Sequence, residues 1–460
     1  MRGSLAELAA SIAGASVSAD TAFDSVSTDS RTANAGALFV ALRGETFDAH
    51  DFLPQVAANG AAAVVAERLP QGWTLPAILV PDTLVALGRI ANGWRRQYSI
   101  PLIGVTGSNG KTTVKEMIAS ILASAVGADA RLATQGNLNN EIGVPLTLMR
   151  LEAAHRAAVV ELGMNHPGEI GRLAAIAQPT VALVNNAQRE HQEFMHTVEA
   201  VAQENGSVFA ALPGDGVAVY PGDDIYTPLW QGLAGHCRSM TFGLSDACDV
   251  RATYTSTGFG NNLKVTAPGG DFAVTLAAAG EHNVRNALAA IACALAAGIA
   301  PDTIVRGLES FAPVGGRLQR RQAANGAVVI DDTYNANPDS MRAAIDVLAA
   351  YPAPRILVVS DMGEVGTHGR EFHDEIGAYA QSRGIDTVLA TGELSRHLVA
   401  SGRSSQFVHF EQFDALLAAL DKQLGGNSDA TVLVKGSRFM KMERVVNHLI
   451  GSTNTGKDAH

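Results

Sequence analysis

The residues with the clearest chemical potential are Thr106-Gly107-Ser108-Asn109-Gly110-Lys111-Thr112-Thr113. Glycines at this spacing let backbone N–H groups turn inward around phosphate oxygens. A helix opening directly behind the loop adds its positive N-terminal dipole. Lys111 is then placed to neutralise the β and γ phosphates of a nucleotide, and the Thr112 hydroxyl to reach Mg²⁺. The common loop, G-x-x-x-x-G-K-[ST], needs a glycine where this chain has Val105, so the loop is a variant. A glycine-rich βα turn without function is the plain alternative. Strand, Lys, Thr and amphipathic helix all in register favour phosphate binding.

Other residues could complete such a site. Glu161 ends the apolar run Val159-Val160-Glu161, and a carboxylate at the C-terminal end of a strand in an α/β sheet points into the ligand crevice. Its oxygens suit Mg²⁺. His191 follows a second strand end at Asn185-Asn186; a lone histidine is more often structural. Asn283 and Asn286 are three apart and share a helix face, although Asn283 could simply cap that helix. Arg317 follows Gly315-Gly316, and its planar fork matches phosphate oxygens. Asp331-Asp332-Thr333-Tyr334-Asn335-Ala336-Asn337-Pro338 is a polar run behind a further apolar strand.

The elements that must position these groups can be read from periodicity. At about 150 residues per domain, 460 residues suggest three domains. Residues 1–99 read as a first unit, with strands at 38–42, 62–66 and 77–80 and helices at 52–59 and 83–98. Residues 100–313 read as a central α/β unit with a mostly parallel sheet. Its strands lie at 102–105, 158–162 and 181–185, and Val114, Met117, Ile118, Ile121 and Leu122 form one helix face. Alternating apolar residues and Gly-Asn turns over 237–278 read as an antiparallel insertion. An alanine-rich helix over 283–297 follows. After the glycines at 315–316, four apolar strands alternate with helices over 314–452, which predicts a doubly wound, Rossmann-like α/β domain. The polar tail 453–460 reads as disordered.

Composition excludes several classes. A net charge of -11 offers no basic footprint for nucleic acid. The longest apolar run, 287–300, is mostly alanine and too short to insert in a membrane. Cys237, Cys248 and Cys293 fit no zinc or redox spacing, which suits a reducing cytoplasm. Cys293 reads as a small buried hydrophobe.

The loop resembles the T-G-x-N-G-K-T loop of the Mur ligases and their folylpolyglutamate synthase relatives. The resemblance runs through nearly the whole chain. Ser27-Thr28-Asp29-Ser30-Arg31 and the stretch 38–50 are similar to the UDP-sugar domain of the MurE and MurF types. Gly136-Asn137-Leu138-Asn139-Asn140-Glu141-Ile142-Gly143 is similar to a central segment that helps hold the muramoyl substrate. The runs Tyr334-Asn335-Ala336-Asn337, Glu161-Leu162-Gly163-Met164-Asn165-His166 and Lys435-Gly436-Ser437-Arg438 resemble the MurF type rather than MurE.

The resemblance implies ATP and Mg²⁺ as cofactors. It implies Glu161 and His191 near the metal, Asn283 and Asn286 on adenine, Arg317 on the γ-phosphate and Asp332 on the ribose. It places Asn335, Asn337, Lys435 and Ser437 on the substrate side. The implied reaction joins D-alanyl-D-alanine to UDP-N-acetylmuramoyl-tripeptide through an acyl phosphate, in a monomeric cytoplasmic enzyme. One departure stands out: Asn205 occupies the place of a family lysine, typically carbamylated, that positions Mg²⁺. The other readings are a MurE-type or folylpolyglutamate-type ligase, a P-loop switch that makes no product, and a scaffold that has lost catalysis.

Overall fold

The computed structural model describes residues 1–44, 46–190 and 192–451. His191, expected near the metal, and the tail 453–460, expected to be disordered, lie outside the described residues. Beside a two-stranded pairing of Gly3–Ser4 with Ala22–Phe23, three large sheets come from three successive stretches of chain, which is the three-part α/β architecture the sequence predicts.

The first sheet has five strands in the order Ser16–Val17, Ala77–Leu79, Ala63–Ala66, Ala37–Val40 and Ser25–Ser27. All pairs are parallel except the Ser16–Val17 edge. The helix Thr83–Arg95 leaves this sheet but is fixed to the next part of the chain. The Trp94 indole N–H donates to the Leu151 carbonyl at 3.0 Å, Asn92 donates to the Ala175 and Ile176 carbonyls, and the buried Arg95 donates to the Ala177 carbonyl. A single apolar core therefore runs from the N-terminal sheet to one face of the central sheet.

The central sheet has nine strands, in the order 270–276, 260–267, 250–257, 238–243, 217–221, 181–184, 102–106, 157–161 and 131–133. Val105 sits inside the strand Leu102–Thr106, fully buried and opposite Glu161 and Leu183. Glycine is not needed there, because the turn into the helix begins two residues later. The stretch 237–278 is not a separate insertion as expected. Strand Arg238–Gly243 pairs in parallel with Val217–Pro221, and Val250–Thr257 begins in parallel with Arg238–Gly243. Only the last two pairings are antiparallel, so the stretch extends the central sheet to its edge. Its alternation reflects strands with one wet face, a pattern that does not depend on strand direction. The other face of this sheet is covered by the helices Lys111–Val126, Glu281–Ala296 and Pro301–Glu309, and Cys293 is fully buried among them.

The third sheet has six strands, in the order 319–322, 328–332, 431–435, 355–359, 387–391 and 407–410. Only the first is antiparallel. Apolar clusters fill both faces, as expected for a doubly wound sheet. The 319–322 and 407–410 strands escape the sequence pattern because both are four-residue sheet edges, the first wholly polar and the second too short to show a period.

One close contact sets the height of the phosphate-loop helix. Gly307 lets the helix Pro301–Glu309 press on Lys111–Val126; a Cβ added there would lie 2.4 Å from the Ile121 Cα. Replacing Gly307 with Val should cost about 1–3 kcal/mol by overpacking and lower the thermal midpoint. Gly232→Ala, with open space around the added methyl, should leave the midpoint unchanged or raised. Equal midpoints for Gly307→Val and wild type, by calorimetry, would show that the two helices can part freely.

Candidate active site

Phosphate binding needs donors that the protein does not use up. The helix Lys111–Val126 begins at Gly110, whose φ of 80° is left-handed, and no side chain caps its first turn. Its first N–H groups are thus left to a ligand, with the helix dipole behind them. Gly110 is required twice over: beyond its positive φ, a Cβ would sit 2.5 Å from Asn286 Oδ1. Lys111 Nζ folds back on the loop, donating to the Gly107 carbonyl at 2.5 Å and the Ser108 carbonyl at 3.0 Å, with Glu190 Oε2 at 3.3 Å.

Polar groups from neighbouring strand ends brace the loop. Asn185 Nδ2 and Asn186 Nδ2 both donate to the Asn109 carbonyl, at 2.8 and 2.9 Å, while Asn186 Oδ1 accepts the Asn109 N–H at 2.9 Å. Asn109 Nδ2 donates to Gln188 Oε1 at 2.6 Å, and Gln188 N–H to Ser108 Oγ at 2.9 Å. Thr106 is buried below the loop and donates through Oγ1 to Asn205 Oδ1 at 2.7 Å. Asn205 itself is fully buried, and its Nδ2 has no partner. It is the only anchor of the loop from the helix Val198–Gly206 that the hydrogen bonds reveal among the described residues.

Glu161 lies beside the first turn of the phosphate-loop helix. Its Oε1 accepts from Thr112 Oγ1 at 3.2 Å and from Asn139 Nδ2 at 2.8 Å, and its buried Oε2 has no hydrogen-bond partner. The Glu161 N–H donates to Thr134 Oγ1 at 2.9 Å, and the buried Lys115 donates to the Thr134 carbonyl at 3.0 Å. Lys115 is thus a support for the strand end that the sequence reading missed; its place on the apolar face of a helix hides it. Asn140 Oδ1 accepts the Gly143 N–H at 2.8 Å and so shapes the turn that carries Asn137 and Asn139.

Asn283 does not cap its helix. The helix starts at Glu281 after Gly280, so Asn283 lies within the first turn. Its Nδ2 donates to the Ala279 carbonyl at 2.8 Å, and its Oδ1 accepts from Asn286 Nδ2 at 3.1 Å. Asn286 in turn accepts from Asn185 Nδ2 at 2.9 Å, which joins this helix to the phosphate loop. His282 lies in the same wall, and burial holds its pKa below the ordinary histidine value.

The C-terminal part closes the other side. Gly316 has a φ of 71°, and its carbonyl accepts from the Tyr334 N–H at 3.1 Å. The Arg317 guanidinium lies 4.1 Å from the Tyr334 ring centre, and Arg438 lies 5.9 Å from it. Asp332 Oδ1 accepts from the Leu318 N–H at 3.1 Å; its Oδ2 accepts from Lys435 Nζ at 2.6 Å. Asn337 caps the helix Pro338–Ala349 and exchanges side-chain hydrogen bonds with Asn109, at 2.9 and 3.3 Å.

These groups surround one cavity of about 810 Å³. Ser108, Asn109, Gly110, Lys111, Thr112 and Thr113 line it from the loop; Asn137, Asn139, Asn140, Glu161, Asn283 and Asn286 line it from the central sheet. Arg317, Asp332, Asn335, Asn337 and Lys435 face it from the C-terminal part, and Leu84 reaches it from the N-terminal helix. Thr106 and Gly107 lie beneath the wall. Ser437 stands behind it, its Oγ accepting the Gly363 N–H at 2.6 Å. Ser27, Thr28, Asp29, Ser30 and Arg31 do not reach this cavity; they form a separate turn in which Arg31 is paired with Asp29 at 2.7 Å. Gln188, Arg189, Asp339 and Tyr334 line the cavity without having been singled out as site residues. The rule that ligand groups gather at strand C-terminal ends could have flagged the first two.

A nucleotide loop, a carboxylate at the next strand end and a hinged third sheet define a nucleotide-dependent ligase of the Mur type. The chain matches the Mur ligase middle domain over residues 105–294, the Mur ligase glutamate ligase domain over 316–438 and the Mur ligase family catalytic domain over 22–95. It belongs to the Mur ligase family. Within that family its likeness is to the MurF ligases. It is 41% identical to the UDP-N-acetylmuramoyl-tripeptide--D-alanyl-D-alanine ligase of Escherichia coli, over 94% of each chain. The crystal structure of MurF from Acinetobacter baumannii matches with a TM-score of 0.89 at 37% identity, over 94% of each chain. MurF from Thermotoga maritima, solved in complex with ADP, matches with a TM-score of 0.84 at 27% identity, over 93% of this chain and 97% of that one.

The Lys435–Asp332 pair holds the hinge to the third sheet, with the lysine side chain 3% exposed. Lys435→Met leaves Asp332 charged and largely buried, which should cost about 3–5 kcal/mol. Adding Asp332→Asn should restore part of that loss in denaturant melts. A single variant as stable as wild type would show that water already reaches the pair.

Proposed function

We propose that the chain is an ATP-dependent amide ligase that joins D-alanyl-D-alanine to UDP-N-acetylmuramoyl-tripeptide, yielding the pentapeptide precursor, ADP and phosphate. The observation that carries this reading is the convergence of Lys111, Glu161 and Arg317 on one cavity, in a chain whose likeness to MurF ligases extends over nearly its full length. The ADP named in the Thermotoga maritima complex supports ATP as the nucleotide. All the groups come from one chain, so a monomer suffices. ATP and a nucleotide-linked substrate suit the cytoplasm, and no helix among the described residues is long and apolar enough to cross a membrane.

The residues fit Mg²⁺. Glu161 Oε2 is buried without a partner and Thr112 Oγ1 is adjacent, while no cluster of three His, Cys, Asp or Glu exists among the described residues. Mg²⁺ asks for little more, because it keeps several waters and phosphate oxygens. Glu161 and Thr112 would hold it, and it would neutralise charge between the β and γ phosphates.

The tripeptide carboxylate attacks the γ-phosphorus, and ADP leaves. Lys111 exchanges its bonds to Gly107 and Ser108 for phosphate oxygens, and Arg317 swings from the Tyr334 face to the transferring group. The dipeptide amine then attacks the acyl carbon of the acyl phosphate; the C–N bond forms, the acyl C–O bond breaks, and phosphate leaves with the bonding pair and takes up the proton the amine loses. Closure of the third sheet over the cavity excludes water, which would otherwise hydrolyse the acyl phosphate.

Asn205 stands where the resemblance leads one to expect a carbamylated lysine. We propose that its amide serves in neutral form: Oδ1 fixes Thr106, and the partnerless Nδ2 is a donor that a bridging water can use.

Phosphate release from ATP with UDP-N-acetylmuramoyl-tripeptide should depend on D-alanyl-D-alanine and match amide formed one for one. Release indifferent to the dipeptide, or none, would favour a nucleotide switch or an inactive scaffold instead.

Turnover should also be flat across added bicarbonate. A steep rise would mean that a carbamate is still required and would remove the role assigned to Asn205.

A further inference from the structure

The segment after the strand Val181–Val184 touches the phosphate loop through Asn185, Asn186 and Gln188. The next residue, Arg189, turns the other way, toward the C-terminal part. Its backbone N–H donates to Asp339 Oδ2 at 2.8 Å. Its guanidinium donates to Asp339 through Nη2 at 2.6 Å and Nε at 3.2 Å, and to Glu375 through Nη1 at 2.6 Å and Nη2 at 3.2 Å. The Phe372 ring lies 5.4 Å from the same guanidinium.

The receptor for this arginine belongs wholly to the C-terminal part. Asp339 sits in the first turn of the helix Pro338–Ala349, where a carboxylate is favoured by the dipole, and Asn337 caps that turn. Glu375 comes from the neighbouring helix Gly369–Ser382. Among the described residues of its own element pair it meets only Arg342, at 3.1 Å, and Arg342 is held against the Tyr379 ring at 3.9 Å. Glu375 thus has a local arginine in Arg342, and Arg189 brings a second cation, from the central part, to Asp339 and Glu375 together. A lone exposed ion pair would contribute little. Forked contacts to two carboxylates, from a side chain 24% exposed, form a directional joint.

We propose that Arg189 is a positioning residue that couples the phosphate loop to docking of the C-terminal sheet, keeping the cavity shut while the acyl phosphate exists. The proposal rests on the ligase reading.

The test compares wild type with Arg189→Ala, Arg189→Lys and Glu375→Gln. Steady-state kinetics, phosphate released per amide formed, and small-angle scattering with ADP and Mg²⁺ are measured on each full chain. With Arg189→Ala, kcat should fall about tenfold while KM for ATP moves less than about threefold. Phosphate per amide should rise above one as the acyl phosphate leaks to water. Arg189→Lys should recover part of the coupling, and Glu375→Gln added to Arg189→Ala should cost less than its effect alone. A ratio that stays at one in Arg189→Ala, or a loss confined to KM, overturns the proposal. If Arg189→Ala does not fold, the ratio in Arg189→Lys decides in the same way. If wild type forms no amide, the ligase reading has failed, and scattering judges the joint alone: a larger radius of gyration for the Arg189 variant supports it, and an equal one overturns it.

Discussion

The left-handed turn at Gly110 is squeezed between two asparagines, and the rest of the cavity is arranged around that contact. Asn286 Oδ1 approaches from the helix Glu281–Ala296, and Asn185 from the end of the strand Val181–Val184. Because the turn cannot accept a side chain, the helix behind it starts with uncapped N–H groups, and its dipole points into the cavity. The asparagines that brace the turn are neutral. They hold the loop without consuming the positive potential that an anionic nucleotide needs, which charged braces of either sign would disturb.

This solves a problem posed by composition. A chain with a net charge of -11 binds anions through a few cations that are kept ready but not idle. Lys111 is held by two loop carbonyls and by the Glu190 carboxylate, and of these the carbonyls are weaker partners than phosphate oxygens. Arg317 rests on the face of Tyr334, a contact it can leave at small cost. Lys435, by contrast, is committed to Asp332 and the Asn335 carbonyl, and so works as architecture. The resemblance placed Lys435 on the substrate side and Asp332 on the ribose; both line the cavity, but they face it as a bonded pair.

Much of this was legible in the residues. The phosphate loop, the carboxylate closing the Val159–Glu161 run and the strands of the third sheet have short-range signatures: period, glycine spacing and a polar residue at the end of an apolar run. Lys115 and the parallel pairing of Arg238–Gly243 have none, and Arg189 has only its place beyond a strand end. The partners of Arg189 lie 150 and 186 positions away, so no local pattern marks them. Strand direction is set by what the chain does between strands, and a helix as short as Thr227–Leu233 was enough to reverse it. The plain alternative for Asn283, a helix cap, fails for a related reason. Glycine at 280 starts the helix two residues earlier than the alanine-rich periodicity suggests, which turns a cap into an interior group facing Asn286.

The contacts between the central and C-terminal parts differ in kind from those that fix the N-terminal part. Beside the phosphate loop they are polar, amide to amide at Asn109 and Asn337 and guanidinium to carboxylate at Arg189, with a small apolar contact where Ala279 and Phe259 pack on the C-terminal core. An apolar seam would contribute stability in proportion to buried area and would have to be exposed to water on every cycle. Polar partners can be rehydrated when they separate, so the net cost of opening is modest, while their fixed geometry specifies one closed position. The N-terminal part is joined differently, through a continuous apolar core and the buried Arg95. The two seams therefore differ in kind: one is a continuous apolar platform, and the other meets the phosphate loop itself through Asn109 and Asn337.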